Sequence, residues 1–252
     1  MSRSTIWITG AGKGLGRALA LELSARGHTI AASARTEDDL TSLAAEAAAK
    51  GGVIKPYVLD VTDKDAVPSV ATQIFRDFGV PDLVILNAGT HSEVTATNFD
   101  LAEFTGVIDT NVMGVANCLS VILPAMIARK TGRVALMASV AGYRGLPTAS
   151  AYSASKAALI ALGEALKPEL EPHGVGLHLI SPGFVDTPLT RRNTFPMPFL
   201  MQPDQAARIM ADGLEAGKKF EIVFPWPMKL AMKFLGILPY PLFFAITRRL
   251  VR

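Results

Sequence analysis

The sequence predicts one α/β domain, a doubly wound, mostly parallel sheet of about seven strands with helices on both faces. Three observations predict it. Short apolar runs rich in β-branched residues alternate along the chain with longer helix-like stretches. Segments bearing glycine, asparagine and serine follow those runs, at what would be the carboxyl ends of strands. No Gly/Ser-rich linker, charge run or change of composition divides residues 1–220, so a single core is expected.

Residues 5–9, 28–34, 53–59, 82–87, 133–139 and 176–180 read as strands buried on both faces, because they are continuous apolar runs rather than alternating ones. Between them, 15–26, 37–50, 64–78, 101–129 and 151–171 read as helices, often opened by Thr, Ser or Asp and closed near Gly. A helix over 203–216 and a last strand over 220–224 complete a main domain of residues 1–224. Residues 225–252 are an apolar C-terminal extension expected to pack on the same domain. The Ala-rich piece 44–49 is ordinary helix-forming sequence, and no internal repeat is visible.

Composition narrows the class. The chain is 50% hydrophobic and 19% charged, as compact globular proteins are. A net charge of +3, with scattered basic residues, lacks the concentrated footprint of nucleic-acid binding. Cys118 is single, which rules out an internal disulfide, and its apolar helical setting predicts inert burial. Residues 1–8 lack the apolar core and cleavage site of a signal peptide, so a cytoplasmic location is expected. His28, His91, His173 and His178 show no metal-ligand spacing and are expected in surface or packing roles, so no metal is expected. No Gly-x-Ser-x-Gly elbow frames Ser139, which argues against a hydrolase.

The first strand runs into Gly10, Gly12, Lys13, Gly14, Leu15 and Gly16, a glycine-rich turn that opens a helix. Missing side chains let backbone approach a pyrophosphate, and free N–H groups at the helix start favour its negative charge. A tight strand–helix connection alone would also use glycines, but the place after the first strand favours a Rossmann-like dinucleotide site. The second strand ends at Ala34-Arg35, where an NAD site usually offers an acid to the ribose hydroxyls. Arg35 and Lys13 are either solvated surface charges or a pair that meets a 2′-phosphate, and the missing acid favours the pair.

Asn87-Ala88-Gly89 follows the fourth strand, Ser139 the fifth, and Tyr152 and Lys156 lie thirteen and seventeen positions later. With the glycine turn, this order and spacing resembles the short-chain dehydrogenase/reductase family over residues 4–190. The resemblance implies an NADP(H)-preferring oxidoreductase that moves a hydride between the nicotinamide and a carbonyl or secondary alcohol. It implies Tyr152 as acid/base, Ser139 as partner of the substrate oxygen, and Lys156 as both a pKa-lowering cation and a ligand of the nicotinamide ribose. Asn111 matches an asparagine that holds a water leading to the lysine, and Asp60 and Val61 an adenine-contacting pair. Pro182, Gly183, Val185 and Thr187 match the segment that shapes the nicotinamide site and binds its carboxamide.

The chemistry suits these residue types. An alkoxide formed by hydride transfer needs a proton, and a tyrosine titrating near about 10 serves best if a neighbouring ammonium favours its phenolate. Tyr152 and Lys156, four apart, share one helix face. Family members commonly self-associate, so a homodimer or homotetramer through helices 101–129 and 151–171 is expected. The rival from another class is a non-catalytic dinucleotide sensor or scaffold on the same fold. Residues 189–202 resemble the family's variable substrate lid; Phe195, Met197, Phe199, Leu200 and Met201 suit an apolar substrate or merely pack the lid. Arg191 and Arg192 read as solvated lid charges, with an acidic substrate group as the alternative.

The stretch 230–246 is apolar apart from Lys233, but Gly236, Pro239 and Pro241 interrupt it, and a spanning helix needs about 20 apolar residues. A single transmembrane helix is therefore not expected. Phe234, Leu235, Leu238, Phe243 and Phe244 suit a subunit contact or the substrate mouth. Trp226 and Tyr240, flanked by Lys229, Lys233, Arg248 and Arg249, are also types that rest on lipid. Broken helical segments near the substrate opening or a subunit contact are expected, with peripheral membrane contact of 225–252 as the alternative.

Overall fold

A computed structural model describes residues 3–193 and 195–250. Its strands are β1 (Thr5–Thr9), β2 (Thr29–Ala34), β3 (Val53–Val58), β4 (Leu83–Leu86), β5 (Gly132–Met137), β6 (Val175–Pro182) and β7 (Glu221–Phe224). Its helices are α1 (Gly14–Ala25), α2 (Glu37–Ala49), α3 (Ala66–Phe78), α4 (Leu101–Ile108), α5 (Gly114–Arg129), α6 (Ser150–Leu170), α7 (Pro203–Ala216), α8 (Trp226–Ile237) and α9 (Tyr240–Thr247). The seven strands form one sheet in the order β3-β2-β1-β4-β5-β6-β7, every neighbour parallel. The doubly wound Rossmann-like fold is therefore the observed one.

Strand pleating divides the core. Ile6 and Ile8 point to the face covered by α1, α2 and α7, while Trp7 points to the face covered by α3, α5 and α6. Each such side chain contributes about 1.5–3 kcal/mol on full burial. The buried Trp7 Nε1 donates to Ser33 Oγ at 2.9 Å, so its polar atom is satisfied.

Two sequence expectations need correction. β3 lies at the sheet edge, so Val53 and Val58 are exposed rather than buried on both faces. Pro56 inside it is tolerated there because an edge strand need not donate on its outer side. The helix expected from residue 64 starts at Ala66, because Asp63 Oδ1 accepts from the N–H groups of Asp65 (2.9 Å) and Ala66 (3.0 Å) and holds a turn. The helix expected over 101–129 forms, with a π-helical turn at Asp109–Met113 between α4 and α5. That stretch is long and apolar enough to cross a membrane by length and composition. Yet Val115, Cys118, Leu119, Ile122 and Met126 of α5 are buried against the sheet, and burial pushes the Cys118 thiol up to about 12.

After β7 the chain turns into α8, whose Met228 and Met232 pack with Val140, Tyr143 and Phe184. Pro239 stops helical continuity before α9, since its ring excludes an interior helical position.

Candidate active site

The strand order reverses between β1 and β4, and there the turn after β1 meets the loop after β4. Asn87 binds them together: its Nδ2 donates to the Thr9 and Gly10 carbonyls at 2.9 and 3.0 Å. Thr9 Oγ1 in turn accepts from the N–H groups of Asn87 and Ala88, both at 3.1 Å. Gly10 has φ +67°, and a Cβ on Gly16 would lie 2.3 Å from the Gly10 carbonyl oxygen, so glycine is required at both places. Asn87 therefore shapes the turn as well as facing the cavity.

A cavity of about 580 Å³ opens from this junction, lined by Gly12, Gly14, Leu15, Arg35, Asp60 and Val61 as well as by Gly89, Ser139, Tyr152 and Lys156, with Gly89 beside the Lys156 ammonium. Every site residue named from the sequence lines it except Asn111. Its size is that of an ordinary small-molecule or cofactor site. The bare glycine backbone at the start of α1 fits a pyrophosphate, so the residues present fit a dinucleotide.

Just after β2, Arg35 is exposed and makes no ion pair among the described residues. Lys13 instead pairs with Asp39 at 3.2 Å. Sequence reasoning missed Asp39, although its place in the first turn of α2 was readable; its approach to Lys13 was not. Asp60 holds its own turn, Oδ1 accepting from Thr62 N at 3.0 Å and Thr62 Oγ1 at 2.8 Å.

At the other end Ser139 leaves β5 in extended backbone and accepts from Ala141 N–H at 3.2 Å. Tyr152 and Lys156 stand on one face near the start of α6, with Lys156 Nζ 5.6 Å from the Tyr152 ring centre. The Lys156 ammonium donates to the Met137 carbonyl at 2.7 Å, and burial pushes its pKa down to about 8. Burial raises the Tyr152 phenol, opposed only by its hydrogen bond with Ser139.

Asn111 sits in the π-helical turn, fully buried. Its Oδ1 accepts from Thr90 N–H at 2.7 Å, and its Nδ2 donates to the Thr90 carbonyl at 3.0 Å and to Ser155 Oγ at 2.9 Å. The side chain thus ties the loop after β4 to α6, its Nδ2 fully engaged and its Oδ1 left with one further acceptor site. Asn111 positions Lys156 by fixing the helix that carries it.

Pro182 and Gly183 close the floor, and Thr187 lies against the glycine turn, 3.3 Å from where a Cβ on Gly14 would be. Val185 pairs with Met201, which anchors the far end of the lid. Arg191 is paired with Asp186 at 2.7 Å, whereas Arg192 lines the cavity. His91, expected only on the surface or in packing, meets the Tyr152 ring edge-on at 5.1 Å. Burial pushes the His91 pKa down, which keeps the ring neutral. The signal for it in the sequence was its place two residues after Asn-Ala-Gly.

The short chain dehydrogenase family matches residues 4–196. An uncharacterized oxidoreductase of Myxococcus xanthus (strain DK1622) is 42% identical over 250 residues, 99% of this chain and 98% of that one. The NADPH-dependent pterin aldehyde reductase of Arabidopsis thaliana is 39% identical over 191 residues, 73% of this chain and 76% of that one. A short chain dehydrogenase/reductase from Burkholderia phymatum, solved in complex with NAD, superposes with a TM-score of 0.84 at 25% identity, covering 92% of each chain. The chain belongs to the short-chain dehydrogenase/reductase family. It is an oxidoreductase whose fold binds a nicotinamide dinucleotide and acts on a small-molecule substrate.

Proposed function

We propose that the protein is an NADP(H)-dependent reductase/dehydrogenase acting on a carbonyl or secondary alcohol, with an apolar substrate. The observation that carries this reading is the convergence of Ser139, Tyr152 and Lys156 on one cavity whose other end is the glycine turn. The cofactor, when bound, supplies or accepts the hydride. The N–H groups at the start of α1 bind its pyrophosphate, and Arg35, joined by Lys13, takes a 2′-phosphate. Ala34 in place of an acid favours that phosphate over a free ribose hydroxyl, and the similarity to an NADPH-dependent reductase agrees with it.

Ser139 Oγ donates a hydrogen bond to the substrate oxygen where negative charge develops. Tyr152 Oη passes its proton to that oxygen in reduction and takes it back in oxidation. Lys156, held by Met137 and buried, brings positive charge to the same corner and binds the nicotinamide ribose. The lid's exposed Phe195, Phe199 and Leu200 suit an apolar substrate. The same reading assigns a cytoplasmic enzyme that forms a homodimer or homotetramer through α5 and α6.

The experiment is loss of nicotinamide absorbance with NADPH and with NADH across steroid, fatty-acyl, sugar and aromatic carbonyls. NADPH should bind about tenfold or more tightly than NADH, the worth of one well-paired phosphate. Equal dissociation constants, or an unchanged preference in Arg35→Ala, would overturn the cofactor assignment. Cofactor binding without turnover on the whole panel would replace the enzyme by a dinucleotide sensor.

A further inference from the structure

Residues 225–252 lie outside the stretch matched to the family, 4–196, and contain five Lys and Arg residues but no Asp or Glu. A helix on a protein surface ordinarily turns its apolar face inward and its polar face to water. α8 carries apolar side chains on both. Met228, Met232 and Leu235 pack inward on the cluster around Val140 and Phe184. Trp226, Leu230, Phe234 and Ile237, at intervals of four, four and three, form the opposite stripe and are 71%, 59%, 57% and 79% exposed. In α9, Tyr240 and Phe244 stack at 5.7 Å and extend the exposed apolar surface.

This surface is held in place by the domain. The Arg144 guanidinium lies over the rings of Tyr240 (4.6 Å) and Phe243 (4.7 Å). It also donates to the carbonyls of Gly236 (3.4 Å) and Leu238 (3.2 Å), across the junction of the two helices. Lys233 is anchored to Glu221 at 2.6 Å. Lys229, Arg248 and Arg249 make no ion pair among the described residues.

We propose that α8 and α9 seat the protein on an anionic lipid surface. The apolar stripe enters the acyl boundary, and Lys229, Arg248 and Arg249 meet headgroup phosphates. At 12 and 8 residues the helices are too short to cross a bilayer, so they lie on it. Exposed Trp, Tyr and Phe beside unpaired cations are the composition of interfacial helices. A second copy of the chain is a poorer occupant. A two-fold contact through this segment would bring its cations toward those of the second copy, with no carboxylate in the segment to offset the repulsion. α8 packs on Val140, beside Ser139, and Phe184 of the same cluster meets Phe195 with ring centres 6.0 Å apart, so the proposed lipid-facing segment adjoins the candidate active site.

The test is flotation of the full-length protein with phosphatidylcholine vesicles prepared with and without phosphatidylglycerol. Binding is expected to the phosphatidylglycerol-containing vesicles and to weaken as salt rises. Leu230→Glu and Phe234→Glu should each lower vesicle affinity about tenfold or more, and Lys229→Glu about fivefold or more. Leu230 and Phe234 face solvent and Lys229 is half-buried, and an unchanged thermal midpoint shows that the variants are folded. Absence of flotation with phosphatidylglycerol, or flotation unaltered in both glutamate variants of the stripe, overturns the proposal. So does a lipid-free oligomer that Phe234→Glu dissociates while the wild type ignores vesicles, which would assign the surface to a second copy. The readout is binding alone, so it stands or falls independently of cofactor preference and turnover.

Discussion

At the glycine-turn end of the cavity the walls are backbone, pinned by Asn87, and the charged pair Lys13–Asp39 is open to water on the lysine side, its side chains 67% and 25% exposed. At the Ser139–Tyr152–Lys156 end the determinants are side chains, and burial displaces the pKa values of both Tyr152 and Lys156. The first end is sensitive to shape and forgiving of charge, because water screens exposed pairs. The second is sensitive to single atoms and protons, because a low-dielectric setting enlarges every electrostatic difference.

The largest expected effect lies at the buried end. Tyr152→Phe should lower turnover by about 10²–10⁴, the worth of a positioned general acid, while cofactor binding measured by titration stays nearly unchanged. Turnover close to wild type would remove Tyr152 from the chemistry. The matching test of shape is Gly16→Ala, whose methyl would meet backbone at 2.3 Å and Asn87 Nδ2 at 2.4 Å. It should cost about 1–3 kcal/mol in denaturant unfolding. Gly145→Ala, with nothing within 4 Å, should stay within about 0.5 kcal/mol. Equal costs for the two would show that close approach does not govern the turn.

Lys156 sharpens the comparison through pH. Its pKa falls from 10.5 to about 8 on burial, so between those values the unfolded chain binds more protons than the folded one. Stability from this group therefore rises with pH across that window, by at most about 1.4 kcal/mol per unit, and the full cost of the buried ammonium is present below about 8. Urea unfolding of wild type and Lys156→Met should show a stability difference that changes with pH in that window. A constant difference would mean that Lys156 titrates as it does in water.

The smallest effect belongs to the exposed end. Asp39→Asn releases Lys13 and should tighten NADPH binding by at most about fivefold while leaving NADH unchanged. Weaker NADPH binding in that variant would mean that Asp39 holds Lys13 in place for the phosphate rather than competing with it.

Legibility in the sequence follows the same division. The strand–helix alternation and the glycine turn are local patterns of period, β-branching and backbone freedom, and they could be read in order from residue 5 to residue 224. The pairing of Pro56 with an edge, by contrast, depends on strand order, and strand order is set by crossovers between segments far apart in the chain. Asn111 was recognisable by type and place, but its engagement with Thr90 and Ser155 arises where a π-helical turn packs beside α6. His91 shows the same limit, since a ring two residues beyond Asn-Ala-Gly meets Tyr152 only after α6 is docked.

The sequence by itself determined the fold class, the family and the residue types gathered at the strand ends, because those rest on local periodicity and on motifs of fixed spacing. Only the tertiary structure decided which carbonyl holds Lys156, which carboxylate reaches Lys13, and that α8 keeps one apolar face in the domain and another in solvent. Partners and burial are properties of segments brought together from distant parts of the chain, and a charge or an apolar face acquires its energy from those neighbours rather than from its own residue type.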